Sequence, residues 1–145
     1  MNMDIEDCVR MGYLVKTRVE WDLIDKEIKE SQYDLKSAER ALKEKNYKWA
    51  IIQCYYAMFH MGKAVCFQQG YREKKHVAVL IMLEQLNKQG KLEGALVNDF
   101  RAGMAAREGA DYQYSYSEER ASQVLNIAKE FIDKLLQFIH RKVNV

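Results

Sequence analysis

Apolar residues recur at helical spacing along most of the chain. The first long stretch of this pattern has a single apolar face and ends near Asn46. Its members recur at intervals of three, four and seven residues: Ile24, Ile28, Leu35, Ala38 and Leu42. The opposite face carries mostly lysine and glutamate, which is typical of a solvated surface. The pattern therefore predicts a long amphipathic helix.

The next apolar stretch is apolar on most of its sides and runs from about Tyr47 to Gln69. A helix of this kind lies at the centre of a bundle and contacts several neighbours. Two further helices are predicted from about Lys75 to Gln89 and from about Leu92 to Glu108. A glycine is placed to end each of the three: Gly70, Gly90 and Gly109.

Two capping boxes mark further helix starts. Thr17-x-x-Glu20 precedes the first long helix, and Ser115-x-x-Glu118 precedes the last one, after a short connection at 110–114. The stripe of this last helix consists of Ala121, Val124, Leu125, Ala128, Ile132, Leu135 and Ile139. The segment from Asp4 to Lys16 is predicted to be a short helix.

The expected fold is all-α, because short connections make sequential helices antiparallel. We expect an up-and-down bundle of four to five helices. It forms a single domain over residues 1–145, in which residues 1–16 are an N-terminal helical extension. The chain contains no proline, against a usual share of about 5%, which agrees with long helices.

Composition adds limits on function. The chain has 145 residues, of which 48% are hydrophobic and 30% charged, and its net charge is only +2. This charge is too small to hold nucleic acid by a global field, although a local basic patch is compatible with it. Three cysteines without C-x-x-C spacing indicate reduced, buried thiols: Cys8, Cys54 and Cys66. The acidic N-terminus is unlike a signal peptide.

The most apolar stretch, Ala50 to Phe67, contains Gln53, His60 and Lys63, so it predicts a core helix rather than a membrane span. We therefore expect a cytoplasmic protein that does not enter the membrane. Motifs for metal, nucleotide-loop and serine-hydrolase chemistry are missing from the sequence, and neither a metal nor a cofactor is expected.

The first candidate site lies at the end of the fourth predicted helix. Arg107 follows Phe100 by seven residues and Met104 by three, so its guanidinium lies on or beside the core face. A charge at such a place needs a carboxylate, a phosphate or another subunit. Asp111, Tyr112, Tyr114 and Tyr116 follow closely. The alternative is structural: an arginine that offsets the helix dipole and tyrosines that pack a loop.

The second candidate site lies on the core helix, where Tyr56, His60 and Lys63 share one face at spacings of four and three. These groups could bind phosphate or exchange protons. Alternatively, His60 is a buried histidine that is bonded to a tyrosine. A third region, Tyr71 to His76, is either a small phosphate-facing patch or a charged connector between helices.

Four motifs follow one another over nearly the whole length after the first helix: Asp34-Leu35-x-x-Ala38-Glu39-x-Ala41-Leu42, Asn46-Tyr47-x-Trp49-Ala50, Tyr55-Tyr56-Ala57-Met58-Phe59-His60 and Arg107-x4-Tyr112-x-Tyr114. In this ordered set the chain resembles the HEPN superfamily of small helical bundles. The third motif and the Ala-Asp-Tyr after Arg107 are most similar to a small, poorly characterised prokaryotic branch of the superfamily.

The resemblance implies a homodimer in which the arginine motifs of two subunits line a shared cleft. It also implies metal-independent ribonuclease activity in members with Arg-x4–6-His, and a toxin role beside a minimal nucleotidyltransferase partner. In the related arrangement Arg-x4-His-x-Tyr, Arg107 matches the arginine and Tyr114 matches a tyrosine that the partner adenylylates in some toxins. Tyr112 occupies the histidine position. A phenol, with a pKa of roughly 10, is a poor base near neutral pH.

Three hypotheses follow from these patterns. The leading one is a non-catalytic or weakly catalytic HEPN module of a toxin–antitoxin or defence system. It binds RNA or a nucleotide through Arg107, Asp111, Tyr112 and Tyr114, with contributions from Tyr56, His60 and Lys63. The second is a metal-independent endoribonuclease that uses Arg107 with Tyr112 or His60. The third is a purely structural domain that binds another protein.

Overall fold

A computed structural model describes residues 3–143 of the chain. Over these residues it contains six helices and two short strands. In chain order they are α1 (Ile5–Arg10), β1 (Leu14–Lys16), α2 (Trp21–Lys43), α3 (Tyr47–Gln68), β2 (Tyr71–Glu73), α4 (His76–Lys88), α5 (Gly94–Tyr112) and α6 (Glu118–Val143). The prediction of an all-helical bundle is confirmed, and α2 to α6 are its five long helices.

The central helix is α3, as its apolar pattern predicted. It is buried along most of its length and packs against α2, α4, α5 and α6. The pairing with α2 is the most extensive, and it includes one buried polar contact, in which Ser31 Oγ donates to the Ala57 carbonyl at 2.6 Å. After α3 the chain turns at Gly70, whose φ of 86° is readily available only to glycine. The predicted end at Gly70 is therefore confirmed.

The small sheet was not predicted. We expected one helix from Asp4 to Lys16, but α1 ends at Arg10 and the chain turns at Gly12, which has a φ of 77°. Strand β1 then pairs antiparallel with β2, with Leu14 opposite Glu73 and Lys16 opposite Tyr71. The helical prediction was wrong because a three-residue strand is stabilised by its distant partner and has no periodicity of its own.

The expected capping box before α2 is also absent. The N-cap residue of α2 is Glu20, which makes no side-chain hydrogen bond to the helix. A capping box instead opens α1, where Asp4 and Asp7 exchange side-chain and backbone hydrogen bonds. The match of Thr17-x-x-Glu20 to the motif was misleading, because a cap works only if the backbone turns into a helix directly after it.

Two expectations near the end of α5 were wrong as well. The helix passes through Gly109, which is buried, and continues to Tyr112. The Gly109 carbonyl then accepts from the backbone N–H groups of Gln113 and Ser115, which closes the helix. The expected cap at Ser115 is replaced by Ser117, whose hydroxyl accepts from the Arg120 N–H at 3.1 Å and so caps α6.

The three cysteines are free and buried, as expected. Burial raises the pKa of each of these thiols, and that of Cys54 reaches about 12. Within residues 3–143, none of the helices combines the length and the apolar character that a membrane crossing requires.

Candidate functional site

Arg107 lies over two tyrosine rings at the end of α5. Its guanidinium carbon is 5.5 Å from the ring centre of Tyr55 and 5.7 Å from that of Tyr56, both on α3. Its Nη2 also lies 3.5 Å from the Tyr56 hydroxyl oxygen, the limit of a hydrogen bond. The aromatic faces stabilise the cation and orient it. Helical spacing had placed Arg107 beside the core face, and its side chain is 27% exposed.

The charge of Arg107 is only weakly compensated. The nearest carboxylate oxygen is that of Asp111, one turn later, and it lies 3.9 Å from Nη2. The Nε atom is buried and has no hydrogen-bond partner among residues 3–143. A half-buried cation with an unpaired donor carries a desolvation cost that a bound anion would relieve.

A cavity of about 280 Å³ opens beside the guanidinium. Its wall is formed by Tyr55, His76, Met104, Arg107, Glu108 and Tyr112. Tyr112 lies at the outer end of α5 and is 68% exposed, so most of its ring is free to contact a ligand. The cavity thus combines a cation, an imidazole and an exposed aromatic ring.

The histidine of this cavity is His76, the first residue of α4. The sequence had left its region open as either a small phosphate-facing patch or a charged connector. Its Nδ1 lies 2.8 Å from the Tyr55 hydroxyl oxygen, and its ring stacks on Phe59 with the ring centres 4.0 Å apart. Burial and the positive charge of Arg107 hold the pKa of His76 below its ordinary value. Burial also raises the pKa of Tyr55, against the influence of Arg107, so its hydroxyl stays protonated.

The sequence singled out His76 only as part of the third region and did not predict its position beside Arg107, because that position depends on distant contacts. The pairing of β2 with β1 holds the chain just before α4, and the Lys74 N–H donates to the Tyr13 carbonyl at 2.8 Å. The packing of α4 against α3 and α5 then brings the imidazole to the cavity that Arg107 lines. A histidine at a helix start carries no sequence signal for either contact.

The expected group of Tyr56, His60 and Lys63 is divided in the structure. Tyr56 faces Arg107. The other two lie against carboxylates: His60 Nδ1 is 2.7 Å from Glu27, and Lys63 Nζ is 3.6 Å from Glu27 and 3.3 Å from Glu73. Neither His60 nor Lys63 is on the wall of the Arg107 cavity.

These carboxylates form a partly buried charge cluster between α2, α3 and β2. Burial raises the pKa of Glu27, but the hydrogen bond from His60 and the charge of Lys63 outweigh it, so the pKa is lowered overall. The second nitrogen of His60 faces Asp34, at 3.6 Å from Nε2. Burial raises the pKa of Asp34, partly offset by His60. The cluster joins three elements by ion pairs and leaves His60 engaged at both nitrogens.

The remaining expected residue, Tyr114, lies two positions beyond the end of α5. Its φ of 54° is in the left-handed region, and its side chain is 76% exposed. It is not part of the cavity wall, although it follows Tyr112 closely. It is placed to contact a ligand or a partner that extends beyond the cavity.

Fold and site together define a helical-bundle protein with a half-buried arginine at the end of its fifth helix. A sequence profile of the HEPN domain matches residues 25–139, which is most of the chain. The protein therefore belongs to the HEPN family.

The chain is also similar to individual proteins. The chain is 28% identical over 124 residues to the candidate toxin MJ0605 of Methanocaldococcus jannaschii, a match that covers 78% of this chain and 92% of that protein. Its fold is similar to the crystal structure of TT1696 from Thermus thermophilus, with a TM-score of 0.70, 16% identity and coverage of 79% and 97% of the two chains. It is also similar to ST0689, an archaeal HEPN homologue, with a TM-score of 0.62, 19% identity and coverage of 80% and 97%.

Proposed function

We propose that this HEPN protein binds RNA or a nucleotide in the Arg107 cavity, with a phosphate on the guanidinium. The observation that carries the proposal is the incomplete pairing of the partly buried Arg107 side chain. It is half-buried, its Nε has no partner among residues 3–143, and its nearest carboxylate is 3.9 Å away. A guanidinium presents donors in a planar fork that matches a phosphate, and such charge-assisted bonds are the stronger class of hydrogen bond.

Exposed tyrosines support a nucleic-acid ligand over inorganic phosphate. Tyr112 is on the cavity wall, and Tyr114 and Tyr116 follow it with large exposed fractions. Base stacking on such rings contributes about 1–3 kcal/mol per base. The cavity volume of about 280 Å³ lies near the lower end of the roughly 300–1,000 Å³ of small-molecule sites. It has room for one phosphate with its sugar, and in this proposal the remaining nucleotides run outward past Tyr112.

The charges around the cavity make Arg107 the critical cation. Glu108 is on the wall and Asp111 is one turn away, and both repel a phosphate. With a net charge of only +2, the rest of the surface attracts nucleic acid weakly. Removal of Arg107 should therefore abolish most of the binding.

The biological setting is part of the proposal. One relative is a candidate toxin, and we propose that this protein also acts in a toxin–antitoxin or defence system in the cytoplasm. It would act as a homodimer in which two Arg107 cavities line one cleft, beside a nucleotidyltransferase partner.

The test is the affinity for a short, labelled single-stranded RNA, measured by fluorescence anisotropy for the native protein and for Arg107→Gln. The matched control is Arg101→Gln, because Arg101 is on the same helix and pairs with Glu84 at the surface. Loss of charge-assisted bonds worth about 1.5–3 kcal/mol predicts about 10- to 150-fold weaker binding for Arg107→Gln. The slope of log Kd against log salt concentration should also decrease by about one, the contribution of a single phosphate contact. Equal losses for both variants, or no binding at low salt, would refute the proposal.

A second candidate function is a metal-independent endoribonuclease. The specific observation in its favour is that the cavity wall contains an imidazole, that of His76, together with Arg107.

A further inference from the structure

His76 lies on the wall of the Arg107 cavity, where an imidazole could exchange a proton with a bound ligand. It comes from the start of α4, whereas Arg107 and Tyr112 come from the end of α5, and all three are on the wall of one cavity. The imidazole is held on two sides, by the Tyr55 hydroxyl at Nδ1 and by the Phe59 ring against its face. A side chain oriented in this way is preorganised rather than freely rotating.

One nitrogen of His76 is available to a ligand. Nδ1 is engaged by Tyr55, while Nε2 has no hydrogen-bond partner among residues 3–143. In the tautomer in which Nδ1–H donates to the Tyr55 oxygen, Nε2 carries the free lone pair. In that tautomer Tyr55 acts as a positioning residue, because its oxygen accepts the Nδ1 proton and Nε2 is left to accept another.

The other candidates for proton transfer are less suitable. Both nitrogens of His60 face carboxylates on α2, Glu27 at 2.7 Å and Asp34 at 3.6 Å. His60 is also absent from the cavity wall. Tyr112 is on the wall, but a phenol is a poor base near neutral pH.

The electrostatic surroundings favour the neutral imidazole of His76, which is the form that can act as a base. Burial disfavours the imidazolium, and so do the positive charges of Arg107 on α5 and of Lys63 and His60 on α3. Glu73 on β2 acts in the opposite direction but does not outweigh them. The imidazole is therefore neutral near pH 7 and can accept a proton.

We propose that His76 is the catalytic base of RNA cleavage in the Arg107 cavity, an inference that rests on the proposed binding of RNA there. His76 Nε2 takes the proton of a ribose 2′-hydroxyl, and the 2′-oxygen forms a bond to the adjacent phosphorus. The bond from phosphorus to the 5′-oxygen breaks, and that oxygen takes a proton from water. The hydroxide so formed is neutralised by the proton on His76, and the products are a 2′,3′-cyclic phosphate and a 5′-hydroxyl. Arg107 stabilises the charge on the phosphoryl oxygens in the transition state.

The test measures cleavage and binding separately on the same RNA in the presence of EDTA. The variant is His76→Asn, since asparagine keeps a polar atom near the Tyr55 hydroxyl but has no basic nitrogen. Loss of a general base predicts a fall of about 100- to 10,000-fold in the cleavage rate, while Kd changes less than about twofold. The control is His140→Asn, an exposed histidine of α6, which should cleave at the native rate.

Three further readouts distinguish a base from a structural residue. Added imidazole should restore cleavage by His76→Ala. The native cleavage rate should rise with pH through the His76 titration measured by NMR, and this dependence should vanish in His76→Asn. An RNA with 2′-deoxyribose at the cleavage site should bind but remain intact.

The outcomes separate the two proposals. RNA that binds through Arg107 but is not cleaved, or is cleaved equally by His76→Asn, overturns the inference about His76 and leaves the proposed binding intact. Native protein that does not bind RNA at low salt overturns both.

Discussion

The contact between α3 and α4 at Gly62 provides a quantitative test of the packing beneath the site. A Cβ atom at position 62 would lie far inside the van der Waals distance of Val79 Cγ1, 3.8 Å from Val79 Cβ and 3.9 Å from Phe100 Cε1. Val79 is completely buried, and a β-branched side chain in a helix has essentially one rotamer, so it cannot turn away. Gly62→Ala must therefore move α4, which begins with His76.

The expected magnitude is the sum of two opposing effects. Alanine favours the helical state over glycine by about 1 kcal/mol. Overpacking of a well-packed core costs about 1–3 kcal/mol. Gly62→Ala should therefore lower the free energy of unfolding by up to about 2 kcal/mol, although the same change in an uncrowded helix is stabilising.

A double-mutant cycle separates these effects. Val79→Ala removes the clashing methyl group and by itself should cost about 2 kcal/mol. In that background Gly62→Ala should become stabilising by about 1 kcal/mol, so the two substitutions should couple by about 1–3 kcal/mol. Gly94→Ala is a control, because its Cβ would meet only Asn87 Nδ2 at an ordinary 3.6 Å. Urea unfolding followed by circular dichroism measures the free energy of unfolding of the four proteins of the cycle and of the Gly94→Ala control. An equal effect of Gly62→Ala in both backgrounds would refute the argument.

Three further predictions concern Ser31, His76 and the three cysteine thiols. Ser31→Ala should lower the free energy of unfolding by about 0.5–1.5 kcal/mol in urea titrations, because it removes the buried hydrogen bond from the Ser31 hydroxyl to the Ala57 carbonyl between α2 and α3. An unchanged midpoint would contradict this. The pKa of His76 in the folded protein lies below its ordinary value of 6.5. Its contribution to the free energy of unfolding is therefore present above pH 6.5 and is lost as the pH falls toward the folded pKa. In a pH series of urea titrations, His76→Asn should lose less stability below pH 6.5 than the native protein. The three thiols should react with a thiol reagent only after unfolding, because all are buried and have a raised pKa; labelling of the native protein at the rate of a free thiol would contradict this.

Part of the candidate site could be predicted because it is local. Arg107, Asp111 and Tyr112 lie within two turns of one helix, so their proximity follows from helical geometry alone. The approach of Arg107 to the core face followed from its spacing to Met104. Tyr56 was a candidate because of its place on one face of the core helix. The contact of Arg107 with Tyr55 and Tyr56 was not predicted, because periodicity does not show which helices pack together.

The grouping of Tyr56, His60 and Lys63 shows this limit. The spacing correctly indicates neighbouring positions along α3, but α3 is surrounded by other helices on several sides. Tyr56 meets α5, whereas His60 and Lys63 meet the carboxylates of α2 and β2. A shared face on a central helix therefore does not imply a shared site.

The amino-acid pattern alone determined the helical class, the central place of α3 and the end of that helix at Gly70, because periodicity and glycine conformation act within a few residues of the chain. The tertiary structure decided the rest. It paired β1 with β2 across more than fifty residues and carried α5 through Gly109. It also brought His76 to the cavity of Arg107. Each of these depends on free energy from contacts between segments distant in sequence, which local preferences do not contain.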